Sequence, residues 1–156
     1  MEDSAFSDSA EKRQSVKAST GGQSVSVTVE GITRSLEVFA EQTGDLNEGL
    51  YARYFALNRE ADALLGHADT YVLGRMTEQV VDLLLNEQHD APGAYLDWEL
   101  DNHLDAYGAT PQMYRDFFEA LVETVREGCG DAWDDSMAQA WQSRVLAIQT
   151  RVDAHS

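Results

Sequence analysis

The sequence predicts an all-α domain behind a polar N-terminal tail, and three observations carry that prediction. Apolar residues recur at three- and four-residue spacing from Ile32 to Val152. Helix-start signals, Asp69-Thr70 and Thr110-Pro111 among them, precede the apolar runs. The one period-two stretch, Ser24 to Glu30 with Val25, Val27 and Val29, has no second stretch to pair with.

Residues 1–22 are rich in Ser, Asp, Glu, Lys and Gln and end in Gly21-Gly22, which reads as a flexible tail before one domain over 23–156. Ser24 to Glu30 reads as a short strand, a loop or a helix lead-in. Ile32, Leu36 and Phe39 form an apolar stripe that Thr43-Gly44 closes. Leu46 to Leu57 carries Leu50, Tyr51, Tyr54, Phe55 and Leu57 at helical spacing, and a short stretch from Asn58 to Leu65 follows. Asp69-Thr70 opens a helix whose buried side is expected to hold Leu73, Met76, Val80, Val81, Leu83 and Leu84. Pro92-Gly93 marks a loop, and Tyr95 to Tyr107 forms a helix ending at Gly108. Thr110-Pro111 starts the next helix, which runs to about Arg126, and Gly128 to Gly130 turns the chain. The last helix starts at Asp131 or Asp134 and ends near Val152.

Composition narrows the function. The chain has 156 residues, the size of one compact domain. At 43% hydrophobic residues it can build a core. Its formal net charge of −17 argues against nucleic acid and against an anionic membrane surface, since both need a basic stripe. Only Lys12 and Lys17 are lysines, as expected of a protein kept soluble in salty water. Cys129 stands alone, which excludes an intrachain disulfide and a thiolate zinc cluster. The acidic start lacks an apolar stretch, and the longest apolar run, Val80 to Leu85, is cut by Asp82. A microbial cytoplasm is therefore the expected compartment. A hydrolase finds no support: there is no nucleophile elbow, no H-E-x-x-H and no glycine-rich phosphate loop.

The stretch His103-Leu104-Asp105-Ala106-Tyr107-Gly108-Ala109-Thr110-Pro111-Gln112-Met113-Tyr114-Arg115 puts a proline eight residues after a histidine. A long apolar helix with Phe117, Phe118, Leu121, Val122 and Val125 follows. This resembles the globin family at its proximal histidine, the corner after it and the next helix. Upstream, Leu50-Tyr51-Ala52-Arg53-Tyr54-Phe55 and Asn58 are similar to the second-helix motif of bacterial single-domain globins and flavohaemoglobins. Downstream, Gly130-Asp131-Ala132-Trp133 and Ala140-Trp141 resemble their final helix. The resemblance spans about residues 31–152, with three segments in the same order.

The resemblance implies a globin-like helical sandwich around haem b, held without covalent attachment because C-x-x-C-H is absent. It implies that His103 ligates the iron through a neutral imidazole. His67, His89 and His155 are read as loop or terminal histidines. Tyr51 falls where bacterial globins place a distal tyrosine that donates to dioxygen; a core tyrosine is the alternative. Met76 and Val80 match the pocket face of the distal helix, and a one-residue slip would put Arg75 there instead. Tyr114 and Phe118, beside Phe117, would lie at the haem edge, and ordinary core packing accounts for them equally well. Leu65 replaces the phenylalanine usual at the corner after the third helix, which weakens stacking on haem. Glu99 is read as solvated, within the acidic run Glu87, Asp90, Asp97, Glu99, Asp101 and Asp105; the alternative is a carboxylate that accepts the imidazole proton. The implied function is reversible binding of dioxygen or another diatomic gas, for storage, scavenging or sensing. Nitric oxide dioxygenation would need a separate reductase, and a homodimer is the other protein partner considered. The second reading, which Leu65 favours, is a haemless globin-fold module for sensing or protein interaction.

Overall fold

A computed structural model describes residues 20–87, 95–101 and 108–155. Among the described residues it contains seven α-helices, one 3-10 turn and no strand, so the fold class is all-α. The expected tail lies outside the described residues up to residue 19, and the remainder of it is helical. No helix among the described residues is long and apolar enough to cross a membrane.

Helix α1, Thr20–Gln42, takes in the whole valine-alternating stretch. The strand option for Ser24 to Glu30 fails for a physical reason. A lone strand leaves its backbone N–H and C=O groups unpaired, whereas a helix satisfies them within the segment. Ile32, Ser35 and Phe39 then set the buried face of α1, and Val27 is left exposed. The helix stops at Gly44, whose φ of 96° only glycine adopts without strain.

Helix α2 is Leu46–Leu57, with the Asp45 carboxylate accepting from the Asn47 N–H at 3.0 Å. Helix α3, Arg59–Leu65, begins at Asn58, a buried residue that joins three elements. Its backbone N–H closes α2 on the Tyr54 carbonyl, its side-chain oxygen caps α3 at Ala61, and its amide donates to Asp116. Helix α4, Thr70–Leu85, is capped by Asp69 through the Val72 N–H at 2.9 Å. Its last carbonyls are held from outside. The buried Arg144 guanidinium donates to Leu83 O at 2.7 Å and to Leu84 O at 3.0 Å.

Helix α5 is described over Tyr95–Asp101; the rest of the helix expected to reach Tyr107 lies outside the described residues. Helix α6 spans Pro111–Cys129, with Thr110 capping the Met113 N–H and proline in the first turn. A 3-10 turn, Gly130–Ala132, leads to α7, Asp135–His155, which Asp134 caps at the Met137 N–H. Gly128 does not turn the chain. It lies inside α6, where a Cβ would sit 2.2 Å from the Phe39 ring, so its missing side chain lets α1 and α6 close together.

Helix α6 occupies the middle, packed by α2, α1 and α7; α3 rests on α2, α4 on α1 and α2, and α5 on α7. The core runs through Ile32, Leu50, Leu84, Leu96, Leu121, Trp141 and Ile148. Trp141 donates its indole N–H to Ser35 Oγ at 2.8 Å, and Ser35 donates its hydroxyl to Ile32 O at 2.7 Å, so these two buried side chains are satisfied.

Candidate functional site

Tyr51 stands on the inner side of α2 and reaches both neighbouring helices. Its ring meets Phe117 of α6 edge-on, with centroids 5.9 Å apart, and lies 5.7 Å from Phe55. Tyr54 completes the cluster, edge-on to Phe117 at 5.1 Å. The Tyr51 hydroxyl is buried against α4, where it donates to Leu73 O at 2.8 Å and touches Thr77 Oγ1 at 3.1 Å. Burial pushes the Tyr51 phenol above its ordinary pKa, and the bond with Thr77 partly offsets that rise. Tyr51 is thus a protonated donor in an apolar setting.

Thr77 is the residue the spacing argument passed over. Met76 is half-buried and Thr77 is buried, so the helix face turned towards Tyr51 is Leu73 and Thr77, four residues apart. Arg75 points elsewhere: it donates to the Tyr71 hydroxyl at 3.2 Å, pairs with Glu78 and is exposed. The buried side of α4 is narrower than expected, since Leu73, Met76, Val80 and Val81 are half-buried while Leu83 and Leu84 are buried. Leu73, Val80 and Leu65 still pack against the core, each with part of its surface open.

On α6, Phe118 is buried beside Phe117, and Tyr114 is half-buried. Burial raises the Tyr114 phenol far above its usual pKa, and the nearby negative charge of Glu99 adds to the rise. Glu99 itself is buried, which corrects the solvated reading. The reason is register: Leu96, Glu99 and Leu100 share one face of α5, so the carboxylate falls on the inner stripe while Trp98 faces out. Asp97, on another side of α5, accepts from Arg151 and lies 3.0 Å from His155 Nε2, which ties α5 to the end of α7.

His103 and His89 lie outside the described residues, and His67 is exposed. No cluster of His, Cys, Asp or Glu able to hold a metal ion occurs among the described residues. A surface groove lined by Val27, Val29, Arg34, Leu85, Glu87 and Ser136 contains none of the residues expected to form the site. What the described site offers is therefore a buried phenol–threonine pair, an aromatic floor and a half-open apolar border. The chain matches no known protein-family profile and no curated protein.

Proposed function

We propose that this chain is a haem globin that reversibly binds dioxygen or another diatomic gas. The observation that carries the reading is the buried Tyr51 hydroxyl against α4, at the position where the resemblance expects a distal donor. Two features are compatible with this reading. Tyr51 touches both α4 and α6, two helices that each rest on α2. Met76, Val80 and Tyr114 are half-buried, each with part of its surface open.

In this reading haem b, when bound, would supply iron chemistry, and the protein would supply ligation, orientation and polarity. His103 would hold the iron through a ring nitrogen, and Tyr51 would offer a polar hydrogen to the gas. Leu65, Met76, Val80, Tyr114 and Phe118 would exclude water. Storage, scavenging and sensing all fit such a pocket, and nitric oxide dioxygenation fits once a separate reductase delivers electrons. Leu65, packed on the core without an aromatic face, favours the haemless sensory or interaction module as the second reading.

One ultraviolet–visible spectrum tests the proposal. Full-length protein made with ample haem should show a Soret band that responds to reduction and to carbon monoxide, and His103→Ala should sharply weaken haem retention. Colourless protein that takes up no added hemin would overturn the proposal in favour of the haemless module. Unchanged spectra in His103→Ala would assign the axial bond to a different residue.

A further inference from the structure

Helix α1 keeps one face that the core does not use. Val27, Glu30, Arg34 and Glu37 follow one another there at three- and four-residue spacing, all four exposed. Together with Leu85 at the end of α4 and Ser136 in the first turn of α7, they line a groove of about 730 Å³. A groove of that size takes a few side chains. Val27 gives it an apolar end, 61% exposed. Charge decides what fits the rest. Arg34 already pairs with Asp134 at 2.9 Å, which leaves the Glu30 and Glu37 carboxylates to an incoming cation. A second copy of this chain, at a formal net charge of −17, is a poor match for such a groove.

The cations are supplied by the sequence just ahead of α1. Lys12-Arg13-Gln14-Ser15-Val16-Lys17 sets three of them in six residues with no acid between, and it holds both lysines of the chain. Arginines of the described helices are largely committed elsewhere, as Arg115 is to Asp153 and Arg151 to Asp97. The reach also fits. Arg13 and Lys12 stand seven and eight residues before Thr20, up to about 23 and 26 Å along an extended chain. Glu30 and Glu37 stand ten and seventeen residues after it, about 15 and 25 Å along the α1 axis. Val16 and Val27 are matched in the same way, at about 13 Å of extended chain against about 10 Å of helix.

We propose that residues 12–17 fold back along α1 and dock in this groove, with Lys12 and Arg13 against Glu30 and Glu37 and Val16 against Val27 and Leu85. The docked segment clasps α1 to the end of α4 and the start of α7. Exposed ion pairs are individually weak, and the covalent link to α1 supplies the high effective concentration that lets a few of them act together. Because the pairs face water, salt weakens the clasp. The clasp is independent of haem and of the gas-binding reading.

The test uses the full-length, isotope-labelled chain with Ala10→Cys carrying a nitroxide spin label; Cys129 is buried and stays unlabelled. Docking should broaden the backbone signals of Leu85 and Ser136, across the groove, and raising salt to about 1 M should restore them. Lys12→Glu with Arg13→Glu should abolish the broadening, and adding Glu30→Lys with Glu37→Lys should bring it back. All four substitutions lie outside the core, so the fold is not at stake. Trypsin gives a second readout: cleavage after Lys17 should be several-fold slower in the chain than in a peptide of residues 1–22, and Glu30→Gln with Glu37→Gln should remove the difference. Broadening that ignores charge reversal, or that falls on every face near Thr20 alike, overturns the proposal. So does cleavage at the peptide's rate. Broadening that appears only between labelled and unlabelled molecules, and grows with concentration, overturns it in favour of a contact between copies.

Discussion

Replacing Tyr51 by phenylalanine removes one hydroxyl and keeps the ring against Phe55 and Phe117. Under the proposed globin reading, the magnitude follows from what the hydroxyl would give up in turning to a ligand. A hydrogen bond to a partly charged acceptor contributes about 1.5–3 kcal/mol, but the existing bond to Leu73 O, about 0.5–1.5 kcal/mol, is surrendered in exchange. The net is roughly 1–2 kcal/mol, equivalent to dioxygen release about five- to thirtyfold faster. Carbon monoxide, which carries less charge on its outer atom when bound, should respond much less. Stability should change by less than about 1 kcal/mol, because Thr77 remains to serve the Leu73 carbonyl. Stopped-flow release of both gases and urea unfolding of both proteins measure these quantities. Equal changes in the two release rates would refute the reasoning and assign Tyr51 to the core.

Three further outcomes are expected. Arg144→Met keeps the bulk but removes both guanidinium bonds to the end of α4, and unfolding stability should fall by on the order of 2–4 kcal/mol; a loss below about 1 kcal/mol would show that water replaces them. Gly128→Ala adds a methyl 2.2 Å from the Phe39 ring, so overpacking of about 1–3 kcal/mol should outweigh the roughly 1 kcal/mol that alanine contributes as a helix former. Calorimetry would reverse that reading if the variant melted higher than wild type. Asp134 is held below the ordinary carboxylate pKa by the Met137 N–H first and the Arg34 side chain second. A depressed folded pKa stabilises above the unfolded value of about 3.9 and is lost as pH falls through the folded value. The stability gap between wild type and Asp134→Ala should therefore narrow on acidification below about pH 4, and a gap that stays constant would point to a cause other than the carboxylate charge.

Helix starts were legible because a cap is a local interaction. Asp69 and Thr110 each bond a backbone N–H three residues on, and the residue types alone announce this. The bounds of α2 and the stop at Gly44 follow from equally local facts, an apolar spacing and a glycine able to take φ of 96°. The helical state of Ser24 to Glu30 was not local. Alternating valines suit a strand, and the absence of any partner strand decided against one.

The candidate site was legible in part, and its errors share one cause. Tyr51 could be placed on the apolar side of α2 from its spacing, but its partner Thr77 could not, because helical spacing leaves a one-residue ambiguity that only the angle between α2 and α4 resolves. The same ambiguity hid the inward register of Glu99 on α5. Arg144 was invisible for a further reason: a charged residue reads as surface until its bonds to carbonyls sixty residues away are known. By itself, then, the sequence determined the all-α class, most helix boundaries and the acidic surface, all set by contacts within a few residues or by composition. The tertiary structure alone decided which face of each helix is inside and which hydroxyl, carboxylate or guanidinium meets which carbonyl. Those pairings depend on how separate helices pack, and no periodicity within one helix encodes the position of another.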